Sequence, residues 1–313
     1  MNNPLALHRL FLAPLALLLL VGALSLGASA GELLDRKPRI AVMSAFEPEW
    51  TVLKSEIQGP TEYMINGRNF ITGKLVGKDV VLFLSGVSMV NAAMNSQIVL
   101  DRFSITAVFV SGIAGGVDPG LHVGDVVVAD QWGEYLEMVF ARETPQGFVI
   151  PPWMQTEKGN FPGYGMMIPR SVDVTQNGTP LERRFWFATD PGLLALARKV
   201  AAKAEVADCI AQSQCLHHKP KIIVGGNGVS GSAFVDNAKF REYVSATFQA
   251  KVVDMESAAV AHVTYSNSVP FLAVRSLSDL AGGNDDSNEM TVFMGLAAKN
   301  SATVVKAILS EMP

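Results

Sequence analysis

Acidic side chains recur in this chain just beyond short apolar runs. Glu49 follows residues 39–46 (RIAVMSAF), Asp254 and Glu256 follow 250–253, and Asp279 follows 271–275. Each run reads as a strand bounded by polar residues. Ligands of an open α/β sheet bind outside the carboxyl ends of its strands. Acids at these positions can therefore share one rim. Two carboxyl groups in different surroundings can divide acid–base chemistry, one held protonated by an apolar site and one ionised. Other groups fall at the same ends. A glycine turn, Ser111-Gly112-Ile113-Ala114-Gly115-Gly116, follows 107–110. Phe234 and Val235 lie in the stretch after 221–225, Met255 precedes Glu256, and Arg275 and Ser278 lead to Asp279. Singly, each has an ordinary structural use. A glycine turn is common, Glu256 suits a helix N-terminus, Asp279 suits a cap, and Met255 suits a core. It is the set, in this order, that points to a site.

The elements that must position these residues follow from the apolar pattern. Strands are predicted at 39–46, 78–84, 107–110, 123–129, 221–225, 250–253 and 271–275. Helices are predicted at 51–57, 90–102, 193–206, 239–246, 256–265 and 290–309. Continuous Val/Ile/Leu runs alternating with helices predict a single-domain, three-layer α/β fold with a mostly parallel, mixed central sheet. Residues 131–191 are rich in Pro, Gly and aromatics and lack periodicity. They read as an extended insertion within the domain of residues 31–313.

The whole chain has 313 residues, is 49 % apolar and 17 % charged, and carries a formal net charge of −4. Such a composition excludes a disordered, collagen-like or disulfide-dense chain. An acidic balance without a basic stripe argues against nucleic-acid binding. Residues 1–30 contain no Asp, Glu or Lys. His8 and Arg9 precede an apolar run, and Ala28-Ser29-Ala30 closes it. That is the pattern of a secretory signal cut after Ala30, and it predicts a secreted or periplasmic protein with no membrane association after cleavage. An uncleaved anchor is the alternative, but the run is short of the roughly 20 apolar residues a span needs, and Pro14 interrupts it. Cys209 and Cys215 then sit in a compartment that permits a disulfide. Their spacing to His217 and His218 matches no common zinc pattern, so no metal site is expected.

The stretches RIAVMSAFEPEW, VFVSGIAGG with VGDVVVAD, VSGSAFVDN, VVDMESAAVAHV and VPFLAVRSLSD together resemble the nucleoside phosphorylase/nucleosidase superfamily, most nearly its 5′-methylthioadenosine/S-adenosylhomocysteine nucleosidases. The resemblance implies cleavage of the N-glycosidic bond of a purine nucleoside. Asp279 would protonate N7 of the leaving base, with Ser278 holding it. Glu256 would accept from the ribose hydroxyls, and Met255 would pack on the sugar. Phe234 would stack on the base, with the Val235 backbone reading its edge. Glu49, remaining ionised, would activate water placed with the help of Arg275. Ala114 and Gly115 would line the pocket. The resemblance also implies a homodimer and no cofactor.

The same fold cleaves with water or with phosphate, and phosphate requires cationic forks. Residues 47–54 hold two acids and no arginine, which favours water. A phosphate-dependent phosphorylase, reached by Arg68 or Arg102, is the alternative; a non-enzymatic nucleoside-binding or storage protein is another. Asp279, an acid rather than an amide, favours a 6-amino base. Two features depart from the family pattern: Ile113 replaces a small hydroxyl residue, and the 131–191 insertion is long.

Overall fold

The computed structural model describes residues 32–154, 161–176, 178–211, 214–283 and 287–313. The expected leader, with its cut after Ala30, lies outside the described residues. In chain order the main elements are β1 (Asp35–Ser44), α1 (Glu47–Lys54), β2 (Gln58–Ile65), β3 (Arg68–Leu75), β4 (Lys78–Leu84), α2 (Met89–Arg102), β5 (Phe103–Gly116) and β6 (Val126–Val128). There follow β7 (Gln131–Glu134), β8 (Trp186–Ala188), α3 (Pro191–Ala201), β9 (Ile222–Val224), β10 (Asn227–Ser230), α4 (Ala238–Phe248), β11 (Ala250–Asp254), α5 (Ser257–Ser266), β12 (Phe271–Asp279) and α6 (Met290–Glu311).

One mixed sheet runs through them in the order β8-β7-β10-β11-β5-β1-β4-β3-β2, with β12 paired to β5 and β6, and β6 to β9. Its central strands are apolar on both sides because helices cover both faces. Along β1, Ala41 and Met43 face a core shared with Ala92 and Val99 of α2 and Ala258 and Ala261 of α5. Ile40 and Val42 face the other way, onto Trp50 and Leu53 of α1, Leu193 and Ala197 of α3, and Val305 and Ile308 of α6. The period-2 alternation of a strand thus sets one core against each face of the sheet, which makes the three layers.

Several elements differ from the sequence-based expectation. The sheet itself is mixed, as expected: β1–β4, β1–β5, β5–β12, β6–β9, β7–β10 and β10–β11 are parallel, whereas β2–β3, β3–β4, β5–β11, β6–β12 and β7–β8 are antiparallel. The β2–β3 hairpin was not anticipated. It turns at Asn66 and Gly67, both at positive φ (50° and 73°), the pair that a tight hairpin favours. The predicted glycine turn at 111–116 is not a turn, since those residues continue β5 in extended form. The predicted helix at 51–57 starts earlier, at Glu47. Pro48 presets the first turn and Glu47 and Glu49 suit its positive end. The predicted helix over 193–206 ends at Ala201. β12 continues beyond Arg275 to Asp279, fully buried along its length. The 131–191 stretch is anchored at both ends in the main sheet, where β7 pairs with β8. Between them lie three small antiparallel ladders: Met138–Phe140 with Met167–Pro169, Arg142–Thr144 with Gly147–Val149, and Val172–Val174 with Glu182–Arg184.

Candidate active site

β5 organises the site. β1 runs beside its first half, up to Val110, while β12 follows the opposite edge from Val108 to Gly115. At Gly115 and Gly116 the edge left by β1 is taken over by β11. The strand ends of β1 and β11 diverge there, and an open pocket of about 680 Å³, mouth included, fills the fork. Glu49, Ile113, Ala114, Gly115, Phe234, Val235, Asp254, Met255, Glu256, Ser278 and Asp279 line it, with Phe46, Val87 and Met290. Every residue singled out above for substrate therefore reaches one cavity. Arg275 does not line it. It lies behind the wall, 0 % exposed.

Glu49 projects from the first turn of α1. Its Oε2 accepts the Ala45 N–H at 2.7 Å and its Oε1 the Ile113 N–H at 2.8 Å. Burial pushes its pKa up to about 7, a rise that the nearby Arg275 and the two N–H donors only partly offset. Its carboxyl is thus held well above the ordinary carboxylate range. The glycines of β5 explain how it fits. A Cβ on Gly112 would lie 2.3 Å from Arg275 Nη1 and 2.4 Å from Glu49 Oε1. The bare strand admits both side chains against its backbone.

Arg275 ties the carboxylates together. Its Nε lies 2.7 Å from Asp254 Oδ2, its Nη2 3.1 Å from Glu256 Oε2, and its Nη1 3.9 Å from Glu49 Oε1. Burial alone would lower its pKa, but these three carboxylates outweigh burial and raise it. Glu256 sits just before α5. Its Oε1 accepts the Ser88 N–H at 2.8 Å. Burial raises its pKa, and Arg275 counteracts part of that rise.

Asp279 closes the far side. Its Oδ2 accepts from Ser278 Oγ at 2.8 Å and its Oδ1 from the Ala281 N–H at 2.8 Å. Burial raises its pKa as well, in spite of those donors. The apolar wall includes Ile113, whose side chain packs with Phe46, Met290 and Ala297. Phe234 stands at the rim, 56 % exposed. The arrangement can supply a protonated acid, a base near neutrality and a hydrogen-bond acceptor around one bound molecule.

Three supporting residues had no role assigned from sequence. Asp254 accepts from Ser230 Oγ, from Ser257 Oγ and from the N–H groups of Glu256 and Ser257. It thereby fixes the start of α5 and orients Arg275. Its place at the end of β11 was visible, but Ser230 and Arg275, which it joins, are distant in sequence. Ser88 holds Glu256 from a backbone at φ +85°, and Asn288 reaches Asp279. Neither carries a sequence signal beyond being polar and near an element end. Elsewhere, Cys209 and Cys215 are joined in a disulfide, across a short hairpin.

Residues 39–310 match the family model described as "Phosphorylase superfamily". The chain belongs to that superfamily. A 5′-methylthioadenosine/S-adenosylhomocysteine nucleosidase of Geobacillus thermodenitrificans is 32 % identical to it over 87 % of this chain and 96 % of that protein. Another, from Tolumonas auensis, is 30 % identical over 88 % of this chain and the whole of its own length (100 %). Among solved structures, the nucleosidase of that name from Neisseria meningitidis, in complex with methylthio-immucillin-A, superposes with a TM-score of 0.65 at 26 % identity, covering 88 % of this chain and 99 % of the other. The Colwellia psychrerythraea nucleosidase in complex with adenine gives 0.64 at 26 % identity, over 87 % of this chain and 94 % of the other. The family anticipated from the motifs is the family found.

Proposed function

We propose that this protein hydrolyses the N-glycosidic bond of adenine nucleosides of the 5′-methylthioadenosine and S-adenosylhomocysteine type, releasing the base and the ribose moiety. The observation that carries this reading is the pair of buried acids, Glu49 and Asp279, in one cavity with an acceptor, Glu256, between the strand ends. The bond breaks through an oxocarbenium-like state. Asp279, held above the usual carboxylate range by burial, donates its proton to N7, so the base leaves neutral. Glu49, poised near 7, takes a proton from water as the water adds to C1′. Glu256 binds the ribose hydroxyls and offers negative charge to the developing cation. Met255 packs on the sugar, Phe234 covers the base, the Val235 backbone reads its edge, and Ala114 and Gly115 form the floor. Arg275 acts through the carboxylates it holds rather than through substrate. The reaction takes water and needs no cofactor.

Water is favoured over phosphate because the described lining contains no Lys, Arg or His, and so offers none of the cationic forks that hold phosphate. Released adenine is measured with 5′-methylthioadenosine, with and without phosphate. Equal rates in both are expected; release that requires phosphate would overturn the hydrolytic reading in favour of phosphorolysis, and no release would overturn catalysis altogether. We further propose a homodimer, supported by the exposed apolar residues Val87, Val90 and Met94, which continue from the pocket mouth along α2. Export, with cleavage after Ala30, is supported by the leader's composition and by the cysteine pair.

A further inference from the structure

The segment that opens α6 joins the acid to the pocket wall through one side chain. Asn288 Oδ1 accepts the Met290 N–H at 2.9 Å, which fixes the orientation of the amide. Its Nδ2 must then face the other way, and it donates to Asp279 Oδ1 at 3.4 Å and to Asp236 Oδ1 at 3.0 Å. Asp279 Oδ1 already accepts the Ala281 N–H, from a residue at φ +53°. Two N–H donors therefore point at Oδ1. Among the described residues Oδ2 has the Ser278 hydroxyl, and that hydroxyl has a second acceptor in Ala114 O at 3.4 Å. When Oδ2 binds a proton, the Ser278 hydroxyl can turn to Ala114 O. Oδ1 has no such freedom, because N–H groups cannot reverse.

We propose that Asn288 is a positioning residue for the acid: its amide confines the reactive proton to Asp279 Oδ2 and couples that choice to the seating of Met290 in the pocket wall. The inference rests on the reading of Asp279 as the acid. The same bridge sets the charge environment of Asp279. Asp236 is the nearby anion that opposes its ionisation, while the Asn288 N–H favours it. From α4, Arg241 reaches Gly116 O at 3.1 Å beside the same wall. Glu49 and Glu256 line the pocket with it, and Glu289 lies next to Asn288 in the chain.

The test is the pH profile of adenine release from 5′-methylthioadenosine by wild type, Asn288→Ala, Asn288→Asp and Asp236→Asn, with Asp279→Asn in parallel. Asn288→Asp keeps an acceptor for the Met290 N–H, so it carries the test if Asn288→Ala folds poorly. Loss of the donor should lower kcat by about tenfold or more through misplacement of the acid. The alkaline limb should move up in Asn288→Ala, further up in Asn288→Asp, and down in Asp236→Asn, with KM changed less than kcat. An unchanged kcat and limb in both Asn288 variants would overturn the proposal. So would a loss expressed only in KM with the limb unmoved. Wild-type activity in Asp279→Asn would instead remove the acid reading on which the proposal stands.

Discussion

Glu49→Gln offers a quantitative check on the electrostatics of the site, independent of turnover. In the folded protein the Glu49 pKa stands near 7 against an ordinary 4.5, because its burial is only partly compensated by Arg275. The sign follows from linkage. The folded state holds the proton up to about pH 7, whereas the unfolded chain releases it near 4.5. Glu49 therefore reduces stability progressively as pH rises through that window. At about 1.4 kcal/mol per pH unit of difference, the whole effect is on the order of 3 kcal/mol, most of it falling between pH 5 and pH 8 for a single titrating site. Glutamine does not titrate. It also presents an NH₂ where Glu49 accepts from Ala45 or Ile113, at a cost of about 1–3 kcal/mol, but that cost is the same at every pH. The difference in unfolding free energy between variant and wild type thus isolates the titration. Urea unfolding of both proteins at pH 5, 6, 7 and 8 should show the variant gaining roughly 2–3 kcal/mol on wild type across the range. A difference that stays constant within about 0.5 kcal/mol would refute the claim that burial in the folded state raises the Glu49 pKa.

The other expected outcomes concern chemistry and export. Asp279→Asn should lower kcat by about 10² or more, since general acid help is typically worth that much; a rate within a few fold of wild type by chromatographic assay removes its role. Gly112→Ala should preserve the circular dichroism of the fold yet reduce kcat by about 10², because its Cβ meets Arg275 and Glu49 at 2.3 and 2.4 Å; near-normal turnover would mean the two side chains can shift without consequence. Intact-mass analysis of the exported protein should show Gly31 at the N-terminus and no free thiol at Cys209 or Cys215. An intact leader, or two thiols in the unfolded chain, contradicts the expectation.

The sequence exposed the parts of this site that depend on local order. An apolar run followed by an acid placed Glu49, Glu256 and Asp279 at strand ends, and the family motifs gathered them into one pocket. What it concealed depends on contacts between distant segments. Residues 111–116 looked like a turn because glycine is common in turns. Here the glycines serve an extended strand against which Glu49 and Arg275 lie, and nothing in six residues reports a neighbour that close. Ser88 and Glu256 are 168 residues apart, so no spacing could announce their bond. Asp254 was visible at a strand end, but its work is holding Arg275, and that requires knowing that Arg275 lies buried behind the carboxylates of the cavity wall. The β2–β3 hairpin is a different case. Asn66-Gly67 is a strong local signal, obscured because the strand before it, β2, is polar and mostly exposed, although β3 after it is largely buried.

The pairing of β7 with β8 has a consequence for how such a chain can change. Those two strands are antiparallel neighbours, with Gly133 opposite Trp186, so the ends to be connected already lie side by side. Any length of chain can span so small a gap, and the entropy of closing a loop rises only slowly as residues are added. The excursion hung from this point contributes no residue to the described lining of the cavity. The enzyme can lengthen, shorten or redecorate its periphery here while the chemistry beneath stays fixed.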